Sequence, residues 1–363
     1  MKKLLALLLV VAMVACMFVG CGSSDADTTD DAAAAPADDA APADDAAPAD
    51  DAAPADDAAD DTAAAGDYSD YTIGFCGMTL NNEYHIVVAN AAKAEAEAKG
   101  VNILVQAGSE HASVDEQIAI LENYIAQEVD GIILVPTSSD GLYNPLKECK
   151  ELGIPVIILD TDVSEQIRSD LDWDLPYYGT NNFDGAKLAG EWVAENYEEG
   201  TKTAILTGVE GQTNAVDRYE GFLEGVGADY LDIVATQTAN WETDQGYTAV
   251  QNILTANPDL KLIFCCNDGM AYGALAAIKD ANLVGEVDII GYDGQSQALE
   301  YVISGEFVLD IAQHPAEMGR LGVDNLLAIF DGGEAENYIN TGTGVIDKTN
   351  AEEYYNDYMQ YVD

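Results

Sequence analysis

Basic residues are scarce. Only 14 Lys and Arg stand against 66 Asp and Glu in 363 residues, for a formal net charge of -52. So few cations cannot replace the counterions of a phosphate backbone, so nucleic acid is excluded as a partner. Anionic ligands are disfavoured for the same reason. The three His (His85, His111 and His314) form no H-x-x-x-H pair. The six Cys form no C-x-x-C pair, so no metal site is expected. No Walker or dinucleotide glycine motif opens a helix. Gly342-Thr343-Gly344 comes late and lacks a further glycine at the right distance. With no paired nucleophile and base, phosphate loop or metal cluster, the chain is expected to have no catalytic residues, to need no cofactor and not to be an enzyme.

The first residues read as an export signal. Lys2 and Lys3 precede an almost continuous apolar run from Leu4 to Gly20, and Val19-Gly20-Cys21 closes it. Small residues before a Cys resemble the lipobox of bacterial lipoproteins, which implies a signal peptide over 1–21 and a lipidated Cys21. Met13-Val14-Ala15-Cys16 is a poorer second candidate because it cuts the run short. An uncleaved transmembrane anchor is the alternative, since the run is just long enough to span. Residues 22–66 hold 14 Asp and no Lys or Arg, largely as repeats of Ala-Pro-Ala-Asp-Asp-Ala. Nothing there offsets chain entropy, so 22–69 is expected to be a disordered tether. At flexible-coil dimensions it spans roughly 40 Å. Setting aside those 14 acids with Lys2 and Lys3 leaves 52 acidic and 12 basic residues, net -40, so the body is itself acidic.

From Asp67 onward, short apolar runs alternate with segments of helical period. Strands are expected at 72–76, 101–105, 131–135 and 154–159. The helix after the first strand carries Val87, Ala91, Ala94 and Ala98 at helical spacing and stops at Gly100. The next opens on a capping box, Ser113 with Glu116, and presents Val114, Ile118, Leu121 and Ile125. A third is expected over 142–152. The third and fourth strands are apolar throughout, as when helices cover both faces of a parallel sheet. The alternation restarts with strands at 203–206, 231–235, 262–265, 287–290 and 307–311, and helices at 215–225, 243–255, 270–279, 296–303 and 315–330. This pattern predicts an α/β chain of two doubly wound parallel lobes. Cys76, Cys265 and Cys266 fit as small buried hydrophobes, the last two on opposite strand faces. Cys149 has no evident role.

Polar residues recur just past the strands, where open parallel sheets bind ligands. They are Asn81, Asn82, Tyr84 and His85; Pro136 and Thr137; Asp160, Thr161 and Asp162; then Trp241, Asn267-Asp268, Asp293 and Gln313. Carboxylates and amides suit adjacent hydroxyls, and an aromatic face covers a sugar's C–H face. The alternative is that Asp and Asn after strands merely cap helices, which suits Asp268 and Asn82 but not Trp241 or Gln313.

Several segments carry a family resemblance: Thr79-Leu80-Asn81-Asn82-Glu83-Tyr84, Gly131 to Thr137, Ile154 to Asp160, Arg218-Tyr219-Glu220-Gly221-Phe222, Asn267 to Ala271, Gly291-Tyr292-Asp293-Gly294 and Ile311-Ala312-Gln313. Over residues 70–345 the chain resembles ribose-binding proteins, the type I periplasmic sugar-binding family of ABC importers. The resemblance implies a three-crossing hinge and an interlobe sugar site, with one lobe from 70–180 and 314–342 and the other from 181–313 and 343–363. It implies ligand contacts from Asn82, Tyr84, His85, Asp160, Thr161, Trp241, Asn267, Asp293 and Gln313. Ribose binders place Arg where this chain has Thr161 and Val216, and Phe at His85, so two donors are expected to be missing, with Arg218 either structural or able to swing in. Together with the lipobox at Cys21, it implies a monomeric, extracytoplasmic, lipid-anchored binder of a neutral monosaccharide or polyol, partnered by a permease. A sensor delivering ligand to a membrane receptor is the other reading.

Overall fold

The computed structural model describes residues 68–227, 229–359 and 362. The expected signal peptide, Cys21 and nearly all of the tether lie outside these residues. Tyr68 and Ser69, placed in the tether from sequence, are tied to the body. The Tyr68 hydroxyl donates to Asp331 at 2.6 Å, and Asn102 Nδ2 donates to the Ser69 carbonyl at 2.8 Å.

The first half runs β1 (Thr72–Thr79), α1 (Glu83–Lys99), β2 (Asn102–Gly108), α2 (Val114–Ala126), β3 (Gly131–Leu134), α3 (Tyr143–Leu152), β4 (Val156–Leu159), α4 (Glu165–Leu171) and β5 (Tyr177–Gly179). The second runs α5 (Asn182–Asn196), β6 (Lys202–Thr207), α6 (Thr213–Val226), β7 (Asp232–Thr238), α7 (Thr243–Ala256), β8 (Leu262–Cys265), α8 (Asp268–Asp280), β9 (Asp288–Ile290), α9 (Ser296–Ser304) and β10 (Asp310–Ala312). The chain then adds α10 (Pro315–Phe330), β11 (Tyr338–Asn340), β12 (Gly344–Ile346) and α11 (Ala351–Tyr358).

Two parallel sheets result, ordered β11-β5-β4-β3-β1-β2 and β7-β6-β8-β9. The chain passes between them after β5, after β10 and between β11 and β12. At the crossings β10 pairs antiparallel with β12, the Thr343 hydroxyl donates to the Ala312 carbonyl at 2.8 Å, and the Thr180 hydroxyl donates to the Gly342 carbonyl at 3.4 Å. The fold is thus α/β in two doubly wound lobes. Alternate residues of β3 and β4 enter different cores. Ile133, Ile157 and Leu159 pack under α1 and α10, while Ile132, Leu134 and Ile158 pack under α2 and α3. Cys149 belongs to the second of these cores, which gives it the packing role the sequence left open. Cys76, Cys149, Cys265 and Cys266 are all buried free thiols. Burial pushes the Cys149 and Cys266 thiols up to about 12, which keeps them protonated and inert.

Three local expectations are corrected. The buried stripe of α1 is Tyr84, Val88, Ala92 and Ala96, with Val87 turned to the other lobe's core, while Ala94 and Ala98 are exposed. Alanines and valines ring this helix, so several apolar stripes compete and packing against α10 chooses one. Ser113 caps nothing. Its hydroxyl accepts from Glu110 N, and Glu116 reaches back to the Ser109 amide at 2.7 Å. Asp268 is not the cap of α8. Asn267 is, accepting from Met270 N at 2.9 Å.

Candidate functional site

The carboxyl ends of both sheets face one small cavity. It is lined by Asn82, Tyr84, His85 and Asp160 from the first lobe, by Trp241, Asn267 and Asp293 from the second, and by Gln313 at a crossing. Eight of the nine predicted ligand-binding residues therefore converge. Thr161 does not line the space. It is fully buried behind Asp160, to which its hydroxyl donates at 2.9 Å. Met78, His111, Asn214 and Arg218 complete the lining and were not singled out as ligand contacts from sequence. His111 and Asn214 also follow strands, β2 and β6, so the same positional rule reaches them.

Loop geometry fixes the first-lobe groups. Asn82 caps α1, its side chain accepting from Tyr84 N at 2.9 Å, so the capping and site readings both hold. The Tyr84 hydroxyl donates to Asp160 Oδ1 at 2.8 Å and lies 3.2 Å from Gln313 Oε1. In the second lobe, Trp241 donates its indole N–H to Gln212 Oε1 at 2.5 Å. The indole lies where a side chain on residue 208 would stand. A Cβ on Gly208 would meet the ring at 1.9 Å, so only glycine admits it. Asp160, Trp241 and Asp293 hold positive φ of 64°, 67° and 131°. Conformations of this type cost about 1–3 kcal/mol each for non-glycine residues, and such costs gather at binding sites.

Arg218 is the electrostatic centre. It is buried, its Nε donates to Asn182 Oδ1 at 2.8 Å, and its Nη1 donates to the Cys266 carbonyl at 2.6 Å and to Asp293 Oδ1 at 3.1 Å. Its guanidinium lies 3.9 Å from the Tyr292 ring centre and 5.4 Å from that of Trp241. Thr161 and Val216 bring no guanidinium to the cavity, as expected. Val216 is 44% exposed, and the cavity's guanidinium comes from Arg218 instead. Burial pushes Asp293 up to about 6, with Arg218 and Gln313 pulling the other way. Burial likewise raises Asp160, opposed by Arg218 and by the Tyr84 hydroxyl. Desolvation holds His85 well below its usual range, with His111 adding to the effect, so its imidazole is neutral.

Behind the site, Asp268 accepts from Tyr292 N at 3.1 Å and from Gln295 N at 2.9 Å, and so fixes the loop that carries Asp293. A Cβ on Gly291 would lie 2.5 Å from Asp268 Oδ1 and 2.9 Å from Asp310 Oδ2, so the glycine lets these two carboxyls approach. Asp310 Oδ2 has no N–H or O–H partner, so the charged form of this carboxyl is poorly held. Burial raises both, Asp310 to about 7.

The lobes also touch directly around the cavity. Gln212 Nε2 donates to the Thr137 carbonyl at 2.7 Å, Ser296 N and Oγ donate to Glu83 at 2.9 and 2.8 Å, and His111 Nδ1 lies 2.8 Å from Glu242. Among the described residues, no group of three or more His, Cys, Asp or Glu could hold a metal ion, and no helix is long and apolar enough to cross a membrane.

Comparison with known proteins agrees with this architecture. A model of the periplasmic binding protein domain matches residues 73–334. The ribose import binding protein RbsB of Salmonella typhimurium is 31% identical over 263 residues, 72% of this chain and 86% of that protein. The D-ribose/D-allose-binding protein of Pseudomonas aeruginosa is 29% identical over 256 residues, 70% and 80% of the two chains. A periplasmic solute-binding protein of Actinobacillus succinogenes with bound D-allose superposes with a TM-score of 0.73 at 33% identity, covering 78% of this chain and all of that one. The Caulobacter myo-inositol binding protein bound to myo-inositol superposes at 0.73 with 27% identity, covering 79% and 96%. With the fold, the family model and these relatives in agreement, the chain belongs to the type I periplasmic sugar-binding protein family.

Proposed function

We propose that this chain is the extracytoplasmic solute-binding protein of an ABC importer and encloses a neutral monosaccharide or related polyol between its lobes. The observation that carries this reading is the convergence of Asn82, Tyr84, His85 and Asp160 with Trp241, Asn267, Asp293 and Gln313 on one cavity. Acceptors, donors and an indole are all present, which is what a hydroxylated ring with one apolar face needs. Two carboxylates beside one Arg leave the site with no surplus positive charge, so sugar acids and phosphates are poor ligands. Relatives that bind ribose, allose and myo-inositol point to the same class.

A second cavity of about 490 Å³ lies at the hinge, lined partly by His314, Arg320, Thr341 and Tyr354. It is roomier, but the paired hydroxyl-binding groups stand in the other one. The space left among those groups is about 20 Å³, so a ring enters only when the lobes part. The lobes are 70–180 with 314–342, and 181–313 with 343–363. The first delivers Asp160 and the second Asp293, so a ligand touching both binds the closed form better. The chain acts as a monomer, held to the membrane by lipid on Cys21 and presenting its closed lobes to the permease.

Titration calorimetry with D-ribose, D-allose and myo-inositol tests the reading. At least one should bind, and Asp160→Ala or Asp293→Ala should weaken it by about 1.5–3 kcal/mol, roughly ten- to a hundredfold. If no sugar or cyclitol binds, or if both variants bind as the parent does, the cleft is not a sugar site.

A further inference from the structure

Two buried polar atoms in the cavity wall have no hydrogen-bond partner: His85 Nδ1, from the first lobe, and Asn214 Oδ1, from the second. The direction of the neighbouring bonds identifies what Asn214 lacks. Asp160, as a carboxylate, only accepts. It takes the hydroxyl hydrogens of Tyr84 on Oδ1 and of Thr161 on Oδ2. Thr161 has one hydrogen and has given it away, so its oxygen must accept. It does so from Asn214 Nδ2 at 2.9 Å. The relay therefore runs Asn214 amide to Thr161 hydroxyl to Asp160 carboxylate, and it orients the amide. Oδ1 is turned the other way, as a buried acceptor with nothing donating to it. His85 is neutral, since burial holds its imidazole well below the usual range, and a neutral imidazole can donate from one nitrogen and accept at the other.

We infer that Asn214 and His85 are specificity-determining residues that read hydroxyl groups of the solute, and that the solute carries a hydroxyl at each of the two ring positions they face. The inference rests on the sugar-binding reading and sharpens it. Buried polar atoms of native proteins are nearly always paired, so an orphan acceptor lining a binding cavity marks where a ligand donor belongs. A hydroxyl reaching Asn214 Oδ1 must donate. A deoxy position there leaves the acceptor unpaired, and a site built to pair a hydroxyl rejects its deoxy analogue much more strongly than an apolar pocket rejects an added methylene. A carboxylate or phosphate oxygen there would meet an acceptor and is excluded. His85 plays the complementary part on the opposite lobe. An aromatic hydrocarbon at that position offers only a surface, whereas the imidazole also offers a polar edge. Asn214 stands beside Thr161, where ribose binders place Arg, so this corner presents an acceptor to the solute instead of a cationic donor.

The test is titration calorimetry of the full chain, its Asn214→Leu and Asn214→Asp variants and its His85→Phe variant. The ligands are D-ribose, D-allose and myo-inositol, plus each monodeoxy analogue of whichever binds. Asn214→Leu keeps the side-chain size and removes both polar atoms. It should weaken the hydroxylated ligand about tenfold or more, with one deoxy analogue binding parent and variant alike. Asn214→Asp keeps an acceptor towards the solute but puts a carboxyl where Thr161 needs a donor, so it should also weaken binding while keeping the parent's order among the deoxy analogues. His85→Phe should erase discrimination at a different ring position. Thermal melts of each variant identify any that has lost its fold, and Asn214→Asp then decides the Asn214 site on its own. If Asn214→Leu and His85→Phe bind the hydroxylated ligand as tightly as the parent, or if every deoxy analogue loses equally in parent and variant, the inference is wrong while the sugar site stands. If the parent binds none of the panel, both readings fall.

Discussion

Arg218 is the residue whose removal should be felt most, and its effect can be apportioned. Arg218→Met keeps much of the buried aliphatic volume. It deletes donors to Asn182, the Cys266 carbonyl and Asp293, together with the face contact to Tyr292. Breaking a buried ion pair from one side costs about 3–5 kcal/mol, because the remaining charge is left uncompensated. Here the partner has a way out. Asp293 already sits at about 6, and loss of the cation moves it higher, so it takes up a proton near neutral pH instead of remaining as a bare anion. Asp293→Asn should therefore cost little once Arg218 is gone. The measurement is urea unfolding of the parent, Arg218→Met, Asp293→Asn and the double variant at pH 7.5. The double variant should be more stable than the sum of the single effects by at least about 1 kcal/mol, well outside the ~0.5 kcal/mol scatter of independent sites. Additive single effects would refute the idea that this pair organises the second-lobe wall.

Further outcomes follow from the same geometry. Asp310 titrates at about 7 in the folded chain against an ordinary carboxyl near 4, so the native state binds the extra proton between those values. This group contributes stability that grows as pH falls from about 7 towards 4. Asp310→Asn should flatten the stability profile in that window, and parallel profiles would remove the buried proton from the account. Glu83→Ala removes the acceptor for Ser296 N and Oγ across the lobes, and small-angle scattering should then report a more extended average shape. Unchanged scattering would mean that this rim contact does not bias closure. Cys21→Ser should release the protein from membranes or leave its signal peptide uncleaved. A cleaved, unlipidated and still membrane-bound product would contradict anchoring through that residue.

How much was legible in the sequence depends on how far each signal reaches along the chain. β3 and β4 are buried on both faces and bounded by turns, so Gly131–Leu134 and Val156–Leu159 stood out. The helices α7, over Thr243–Ala256, and α10, over Pro315–Phe330, were visible from periodicity. The short elements α4, β5, β11 and β12 were not foreseen, since three to seven residues carry too little pattern. The 15-residue α5 was also passed over, though Asn181 caps it by accepting from Asp184 N. Its buried Gly185, Ala186, Ala189 and Gly190 are small, Gly190 because the α6 backbone stands where its Cβ would lie and Gly185 because Tyr292 does, and small residues give a weak apolar signal. Site residues were found by their place after strands. Asn214 also follows β6, but it and Arg218 lie in the first two turns of α6, and only the packing of that helix shows which of its residues point inward.

The direct contacts between the lobes bear on how a binding protein of this kind answers its ligand. Gln212 to Thr137, Asn214 to Thr161, Ser296 to Glu83 and His111 to Glu242 all join the lobes without a ligand atom. They lower the free energy of the closed form, so the solute need supply only the remaining difference. Each such contact nets about 0.5–1.5 kcal/mol when formed in place of water. Four of them therefore amount to a few kcal/mol. The contacts made through solute atoms then decide which molecules tip the balance. The partnerless polar atoms of His85 and Asn214 stand one on each lobe, so a hydroxyl that satisfies either one acts on closure and selectivity together.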